Sequence, residues 1–390
     1  MLDDKLCKFY SPGWLGDLVA ATLQDLPATI VDLGSGPGSL GHAARLRWPH
    51  ARLTTVDIDP DASAFTPDRH CLQNHVARNV LIDGLARALG VELGSVDVVL
   101  SNPPYTRVRR TRSITRVLER AGLAEAVAGW STIPADLVFL AQALLLTRPG
   151  GTVAFVVPDT MISSETMASV RRLLIGAHKI ELVIQLPRST FGRTDALAFV
   201  IVIKKSALGG PIRLAAVGDA GLISTRVTIQ APAGVQRLDC LYHAAVQPDP
   251  SRASLADLGA NVSRGRRNSR DVATSSKRIF HTGDFPDRPG AAIVVSCEAV
   301  RSGATRDVLA EPGDILMARV DRRLERKICF VREGAVEISD CVLRLRLPEL
   351  ARERALSGLL SEEGQIQIMS TIRGTGARHI SARALLSIRV

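Results

Sequence analysis

Paired cysteines are missing from this chain. Its six cysteines, at positions 7, 71, 240, 297, 329 and 341, are scattered over 390 residues with no Cys-x-x-Cys spacing. That pattern points to neither a disulfide framework nor a zinc site, and it fits a reducing compartment. No apolar run approaches the ~20 residues needed to cross a bilayer. The amino terminus also lacks the basic-then-apolar layout of a signal peptide, so a soluble cytoplasmic protein with no membrane partner is expected. Acidic excess is lacking too: 49 Lys and Arg outnumber 39 Asp and Glu, for a formal net charge of +10. Internal repeats and low-complexity tracts are absent, and with 46% apolar residues the chain can bury ordinary cores. Its length exceeds one typical domain, so two or three are expected.

What is present centres on Asn102-Pro103-Pro104-Tyr105, which follows an apolar run from Val96 to Ser101. A strand there would put the tetrapeptide at the carboxyl end of a sheet, where open α/β folds hold ligands. Two prolines fix φ and remove two backbone donors. The rigid turn that remains offers acceptors, the Asn102 side-chain oxygen and the Pro103 carbonyl, to the two hydrogens of an exocyclic amino group. Tyr105 adds an aromatic face. Upstream, Ile30-Val31-Asp32-Leu33-Gly34-Ser35-Gly36-Pro37-Gly38 reads as a strand entering a glycine-rich turn, with a helix expected from about Ser39 to Trp48. Three acids follow apolar runs in series: Asp32, Asp57 and Asp83. A carboxylate at a strand end can accept from ribose hydroxyls, although any one of these acids alone is more often a solvated or capping residue. Apolar strands alternating with helices predict a parallel, doubly wound sheet ending near Lys205, and a looser segment follows Ile212–Val217.

In this order the motifs resemble the S-adenosylmethionine-dependent amino-methyltransferases that modify N6 of adenine in DNA, with the cofactor motif ahead of the catalytic one. The resemblance covers roughly residues 8–205. It implies a Rossmann-like α/β methyltransferase fold, S-adenosyl-L-methionine as cofactor, and double-stranded DNA as partner. Carried over residue by residue, it assigns Ser11, in Phe9-Tyr10-Ser11-Pro12, to the methionine end of the cofactor. Asp32, Gly34 and Gly36 fall on the cofactor loop. Asp57 falls at the ribose, Ile58 beside the adenine ring, and Asp83 at the cofactor's amino group. Asn102, Pro103, Pro104 and Tyr105 take the catalytic turn. Asp136 to Phe139, and Arg148 to Pro158, look like the family's following helix, turn and strand, with Phe139 expected in the core. Phe191, in Gln185 to Phe191, is assigned with Tyr105 to the face of an extruded base.

Bases cluster along the chain. Arg107, Arg109, Arg110, Arg112, Arg116 and Arg120 follow the catalytic turn, and Arg264, Arg266 and Arg267 form a later run. A charge run is usually a solvated face, but one beside a catalytic turn favours contacts to a phosphate backbone. Residues 255–390 resemble a single target-recognition domain of type I restriction-modification specificity subunits. That resemblance rests on Leu255 to Gly259, on Pro312 to Arg319 with Lys327 to Val331, and on Arg373 to Val390. It implies a mixed α+β domain over 246–390 behind a methyltransferase domain over 1–245. The spacer helix of those subunits has no counterpart after Val390, so a monomer is expected rather than an obligate dimer. The resemblance also leaves room for a separate restriction endonuclease as partner. Asp314 with Glu325-Arg326-Lys327 superficially matches a metal-nuclease constellation, but three short polar residues match often by accident, and no metal site is expected. Two rival readings are a protein glutamine N5-methyltransferase, whose amide presents the same two hydrogens, and a recognition subunit that depends on a partner.

Overall fold

Apolar residues in the catalytic half divide between two cores because neighbouring side chains of a strand point to opposite faces. The computed structural model describes residues 11–24, 26–60, 62, 73–191, 197–218, 222–245, 252–295, 307–373 and 378–390. Phe9, Tyr10, Cys7, Cys71, Cys297 and 374–377 lie outside them. The chain divides into two compact units, Met1–Cys240 and Leu241–Val390.

In the first unit the strands are β1 (Thr29–Leu33), β2 (Arg52–Asp57), β3 (Gln73–Ala77), β4 (Val96–Ser101), β5 (Arg107–Arg109), β6 (Thr132–Pro134), β7 (Thr147–Pro158), β8 (Lys179–Gln185), β9 (Ala198–Lys204), β10 (Ile212–Val217) and β11 (Ile223–Ile229). Nine of them make one sheet in the order β11-β10-β8-β9-β7-β4-β1-β2-β3. All neighbours are parallel except around β9 and β11, which run antiparallel to theirs. Val153, Phe155 and Val157 of β7 enter one core, whereas Ala154 and Val156 enter the other. Both faces are therefore covered, as parallel strands require. Helices α1 (Gly13–Thr22) and α2 (Ser39–Arg47) pack on one face. Helices α3 (Leu85–Leu89), α4 (Arg112–Arg120) and α5 (Ala135–Leu146) pack on the other. This is a Rossmann-like, doubly wound α/β fold. Strand order reverses between β1 and β4, so a crevice opens at their carboxyl ends.

The sheet does not stop near Lys205. β10 pairs with β8 in parallel and β11 closes the edge as an antiparallel neighbour. β11 alternates half-buried and exposed residues, which gives Ile-Ser-Thr-Arg-Val-Thr-Ile the polar look of a loop. Arg171 is 1% exposed and donates to the carbonyls of Met161, Val235 and Gln236. A buried guanidinium thereby satisfies chain that the sheet leaves without partners.

The second unit holds a five-stranded and a three-stranded sheet. Its strands are β12 (Asn261–Arg264), β13 (Ile279–Phe280), β14 (Ala291–Val294), β15 (Leu309–Ala310), β16 (Ile315–Ala318), β17 (Ile328–Glu333), β18 (Val336–Ile338) and β19 (Val342–Arg346). The order β12-β19-β16-β17-β14 places β16 centrally, antiparallel to both β17 and β19. Helices Glu349–Leu360, Glu362–Thr371 and Ala382–Leu386 complete the mixed α/β unit. Gly265 lets the chain pass against the Ile338–Ser339 backbone, where a Cβ would fall 2.0 Å from the Ile338 carbonyl oxygen. No helix among the described residues is long and apolar enough to cross a membrane.

Candidate active site

A cavity of about 400 Å³ opens at the carboxyl ends of β1, β2 and β4. One wall is the glycine loop, Gly34 to Pro37, with Ser39 and Leu40 of α2. Gly34 has φ of +70°, and a Cβ there would stand 3.0 Å from the Phe139 ring. Only glycine satisfies both the left-handed backbone and the close approach. Phe139 thus belongs to the core, at 6% exposed, and also lines the cavity.

A second wall carries Asp57, Ile58 and Asp59. The Asp57 carboxylate accepts from the Gly36 N–H at 2.9 Å and from the Asp59 N–H at 3.0 Å. These bonds brace the loop and leave further lone pairs on a carboxylate at the cavity wall. Ile58 is 57% exposed, an apolar side chain that the fold leaves open beside the acid.

The opposite wall is the Asn-Pro-Pro turn, Asn102, Pro103 and Pro104, with Ser11. Asn102 is held at both ends of its amide. Its Nδ2 donates to the Ser11 Oγ at 3.0 Å, and its Oδ1 accepts from the Tyr105 hydroxyl at 3.3 Å. Asn102 is thus held between Ser11 and Tyr105 at the cavity wall, where its amide oxygen is an acceptor. Ser39 Oγ donates to the Ser11 carbonyl at 2.7 Å and ties this wall to the glycine loop. Burial pushes the Tyr105 hydroxyl pKa well above its ordinary value, and Asp136 raises it further.

Asp136 sits in the first turn of α5, 3% exposed, with its Oδ2 lacking any hydrogen-bond partner. Burial raises its pKa to about 7, against backbone N–H bonds and the pull of Arg107. The Ala135 N–H donates to the Thr106 carbonyl at 2.8 Å, and β5 pairs with β6. These links fasten the segment after the turn to the start of α5.

Four assignments fall off the cavity lining, the first being Tyr105, which stands behind Asn102 as its hydrogen-bond partner. Asp32 does not line the cavity; it is 1% exposed, its Oδ2 accepts from the Gly41 N–H at 3.0 Å, and its Oδ1 has no partner. Burial raises its pKa to about 7, with Asp57 adding to the shift. It braces the loop from beneath. Asp83 also lies off the cavity, paired with Arg120 at 3.0 Å. Asn79, four residues earlier, lines the cavity with Arg78, Val80 and Leu81. Gln142 of α5 secures that loop by donating to the carbonyls of Val80 and Ile82 at 3.0 and 2.6 Å. Phe191 is 4% exposed in the core that contains Leu15, Leu186 and Ala198, and it does not line the cavity.

The arginines separate as well. Arg109, Arg110 and Arg112 line an open groove, whereas Arg107 donates to Thr132 and stacks on Trp130 at 5.6 Å. In the second unit, Arg264 pairs with Asp340 at 3.1 Å and Arg267 with Glu337 at 2.8 Å; Arg266 is exposed. The nuclease-like trio is dispersed over three ion pairs: Asp314 with Arg346, Glu325 with Arg378, and Lys327 with Asp321. Among the described residues no cluster of His, Cys, Asp or Glu could hold a metal ion.

Residues 70–214 match the family model described as N-6 DNA Methylase. A 110-residue stretch is 34% identical to the ribosomal RNA small subunit methyltransferase C of Pseudomonas aeruginosa (strain LESB58), covering 27% of this chain and 31% of that protein. Another, of 111 residues, is 28% identical to the type I restriction enzyme MpnII methylase subunit of Mycoplasma pneumoniae, covering 28% of this chain and 20% of that one. In fold, the type IIG restriction endonuclease BpuSI matches 98% of this chain and 58% of its own, with a TM-score of 0.53 and 13% identity. The chain thus spans less than two thirds of each of these proteins.

Proposed function

We propose that this chain, whose residues 70–214 fall with the N-6 DNA methylases, transfers a methyl group from S-adenosyl-L-methionine to N6 of an adenine turned out of duplex DNA. The observation that carries the reading is that the nucleoside-sized wall of Gly34, Gly36, Asp57 and Ile58 and the amine-gripping turn of Asn102 and Pro103 open on one cavity. The residues fit the cofactor: a carboxylate for a ribose diol, an exposed isoleucine for a flat ring, and a glycine cradle that a Cβ would fill. In this reading Asn79 and Leu81, which line the cavity, take the adenine end, and Ser11 takes the methionine end. S-adenosyl-L-methionine, when bound, supplies an electrophilic methyl group on a sulfonium.

The chain's own part is positioning. Asn102 Oδ1 and the Pro103 carbonyl accept the two hydrogens of the amine and hold its lone pair toward the cavity. Their dipoles also stabilise the positive charge that the nitrogen gains before it loses a proton, so no strong base is needed. Tyr105 supplies a face for the extruded ring, a contact worth about 1–3 kcal/mol per base toward the few kcal/mol that extrusion costs. The carboxyl-terminal residues 246–390 read target sequence in this proposal, within a restriction-modification system.

RNA as substrate is the second reading, favoured by the 34% identity to a ribosomal RNA methyltransferase. One experiment separates them: incubation with methyl-labelled cofactor and duplex DNA or ribosomal RNA, followed by digestion to nucleosides. N6-methyldeoxyadenosine from duplex DNA is expected. Label confined to RNA, or to protein glutamine, would overturn the DNA reading.

A further inference from the structure

Helix α4 breaks a local rule. Helices favour acids in the first turn, where the macrodipole is positive, yet α4 starts with Arg112 and has no acid in that turn. Arg116 lies four residues on, and like charges at that spacing repel. Thr111 caps the helix by accepting from the Ile114 N–H at 3.2 Å, so the end is well formed despite the charge. Local rules fail most often where function needs them to.

The surroundings give the reason. Arg109, Arg112 and Arg116 share a groove of about 600 Å³ with the hydroxyl-bearing Thr115 and Ser131, and no carboxylate lines it. Neighbouring arginines are committed elsewhere. Arg110 donates to Thr115 Oγ1 at 3.1 Å and to the Val127 carbonyl at 2.9 Å, and serves as the floor. Arg107 is held by Thr132 and Trp130, and Arg120 by Asp83. Arg109, Arg112 and Arg116 have no ion pair among the described residues. A concavity of cations and hydroxyls at a positive helix end fits an anion with several oxygens. It begins four residues beyond Tyr105, on the β5 ribbon that leads away from the catalytic turn.

We propose that this groove seats backbone phosphates of the DNA strand carrying the target adenine, beside the extruded nucleotide. The assignment rests on the DNA reading above and narrows the six arginines of the basic run after the turn to three phosphate-binding residues, Arg109, Arg112 and Arg116.

The test uses the full chain with Arg109, Arg112 and Arg116 all changed to Gln. Binding of an unmethylated duplex oligonucleotide is followed by fluorescence anisotropy from 50 to 300 mM salt, beside methylation kinetics and calorimetric titration with the cofactor. The dependence of log affinity on log salt should become shallower by about 2–3, KM for DNA should rise at least tenfold, and cofactor affinity should not change. Arg107→Gln and Arg120→Gln should leave the slope as it is. A second variant separates binding from folding: Arg112→Glu should raise the melting temperature, since it places an acid at the helix start, while weakening DNA binding. An unchanged salt slope in the triple variant, or an Arg112→Glu chain that melts lower and binds DNA normally, would overturn the proposal. If the wild type methylates no DNA but does bind it, the catalytic reading fails while the salt slopes still decide the groove. A slope that changes with RNA and not with duplex DNA would overturn the assignment to DNA.

Discussion

Polar side chains in the two units differ in how far the fold has used their bonding capacity. In the first unit, Asn102 and Asp57 are braced by internal bonds but keep acceptor capacity at a cavity wall, and three arginines face a groove without a counter-charge. In the second unit the corresponding arginines are paired with acids. Arg264, Arg267, Arg346 and Arg378 each meet a carboxylate at 3.3 Å or less. A net charge of +10 therefore does not locate binding by itself; what locates it is where the fold withholds the acids. The basic run at 264–267 looks like the run at 107–112 in sequence, yet two of its three arginines are tied down.

Asn102→Ala is expected to have the largest effect. It removes one of the two acceptors for the amine and frees the Ser11 hydroxyl, so kcat should fall by about 10³-fold or more. Affinity for the cofactor should stay within about threefold, because the glycine loop and Asp57 remain. A loss of cofactor affinity that matches the loss of rate would erase the distinction between a wall that grips the amine and one that holds the donor.

Asp57 and Asp83 offer the next contrast. Asp57→Ala takes a carboxylate from the cavity wall and leaves the Gly36 and Asp59 N–H groups without their acceptor. Cofactor affinity measured by calorimetry should weaken by about 10- to 100-fold, the usual scale for hydrogen bonds to a charged group. Asp83→Ala removes an ion pair with Arg120, whose side chain is 43% exposed, and a bond from the adjacent Gly84 N–H, and should change affinity by less than about twofold. Equal losses in the two variants would return Asp83 to the cofactor.

The reason Asp83 misleads is physical. The glycine loop, Asp57 and the catalytic turn are legible because each is a contiguous segment whose backbone angles and strand-end position follow from local residues. Asn79 is not, because β3 before it (Gln-Asn-His-Val-Ala, half-buried and exposed in turn) lacks the apolar run that marks the other strands. Asp83 follows a more obvious run, Val80-Leu81-Ile82, which is a loop pinned by Gln142. Phe139 lies in the core as expected, and Phe191 lies in a core as well; sequence marks both as apolar but cannot say which core edge borders a cavity. Gly34 decides it for Phe139 by letting the ring come within 3.0 Å of where a Cβ would stand. The doubly wound order was legible from alternation, whereas β11 was concealed by the exposure of one face.

Stability gives a test of the paired side. Asp314 is 2% exposed, accepts from Arg346 through both oxygens at 2.8 Å, and takes the Glu311 N–H at 2.9 Å. Asp314→Ala should destabilise the second unit by about 2 kcal/mol, since it removes two bonds from the Arg346 guanidinium and leaves the Glu311 N–H without its acceptor. Arg109→Ala should cost less than about 0.5 kcal/mol, because nothing in the fold depends on it. Urea unfolding of the two variants measures both. Were Asp314→Ala as stable as wild type, the carboxylate would have capacity to spare, and the contrast between the units would fail there.

The smallest expected effect concerns Asp136, which belongs to the first unit yet has one oxygen bonded to nothing. Its pKa rises from 3.8 to about 7 on folding, so between those values the folded chain keeps a proton that the unfolded chain has released. Stability then falls as pH rises through that window, since the unfolded state binds fewer protons. The favourable contribution is complete below about pH 4 and lost above pH 7. Asp136→Asn cannot ionise and should flatten this part of the profile, so that the variant gains stability over the wild type as pH rises from about 4 to about 7. At pH 4 the two proteins should unfold at the same urea concentration. A wild-type profile as flat as the variant's would mean that the carboxylate finds a partner which this fold does not provide, and Tyr105 and Arg107, the two groups whose charge it feels, would be the first places to look.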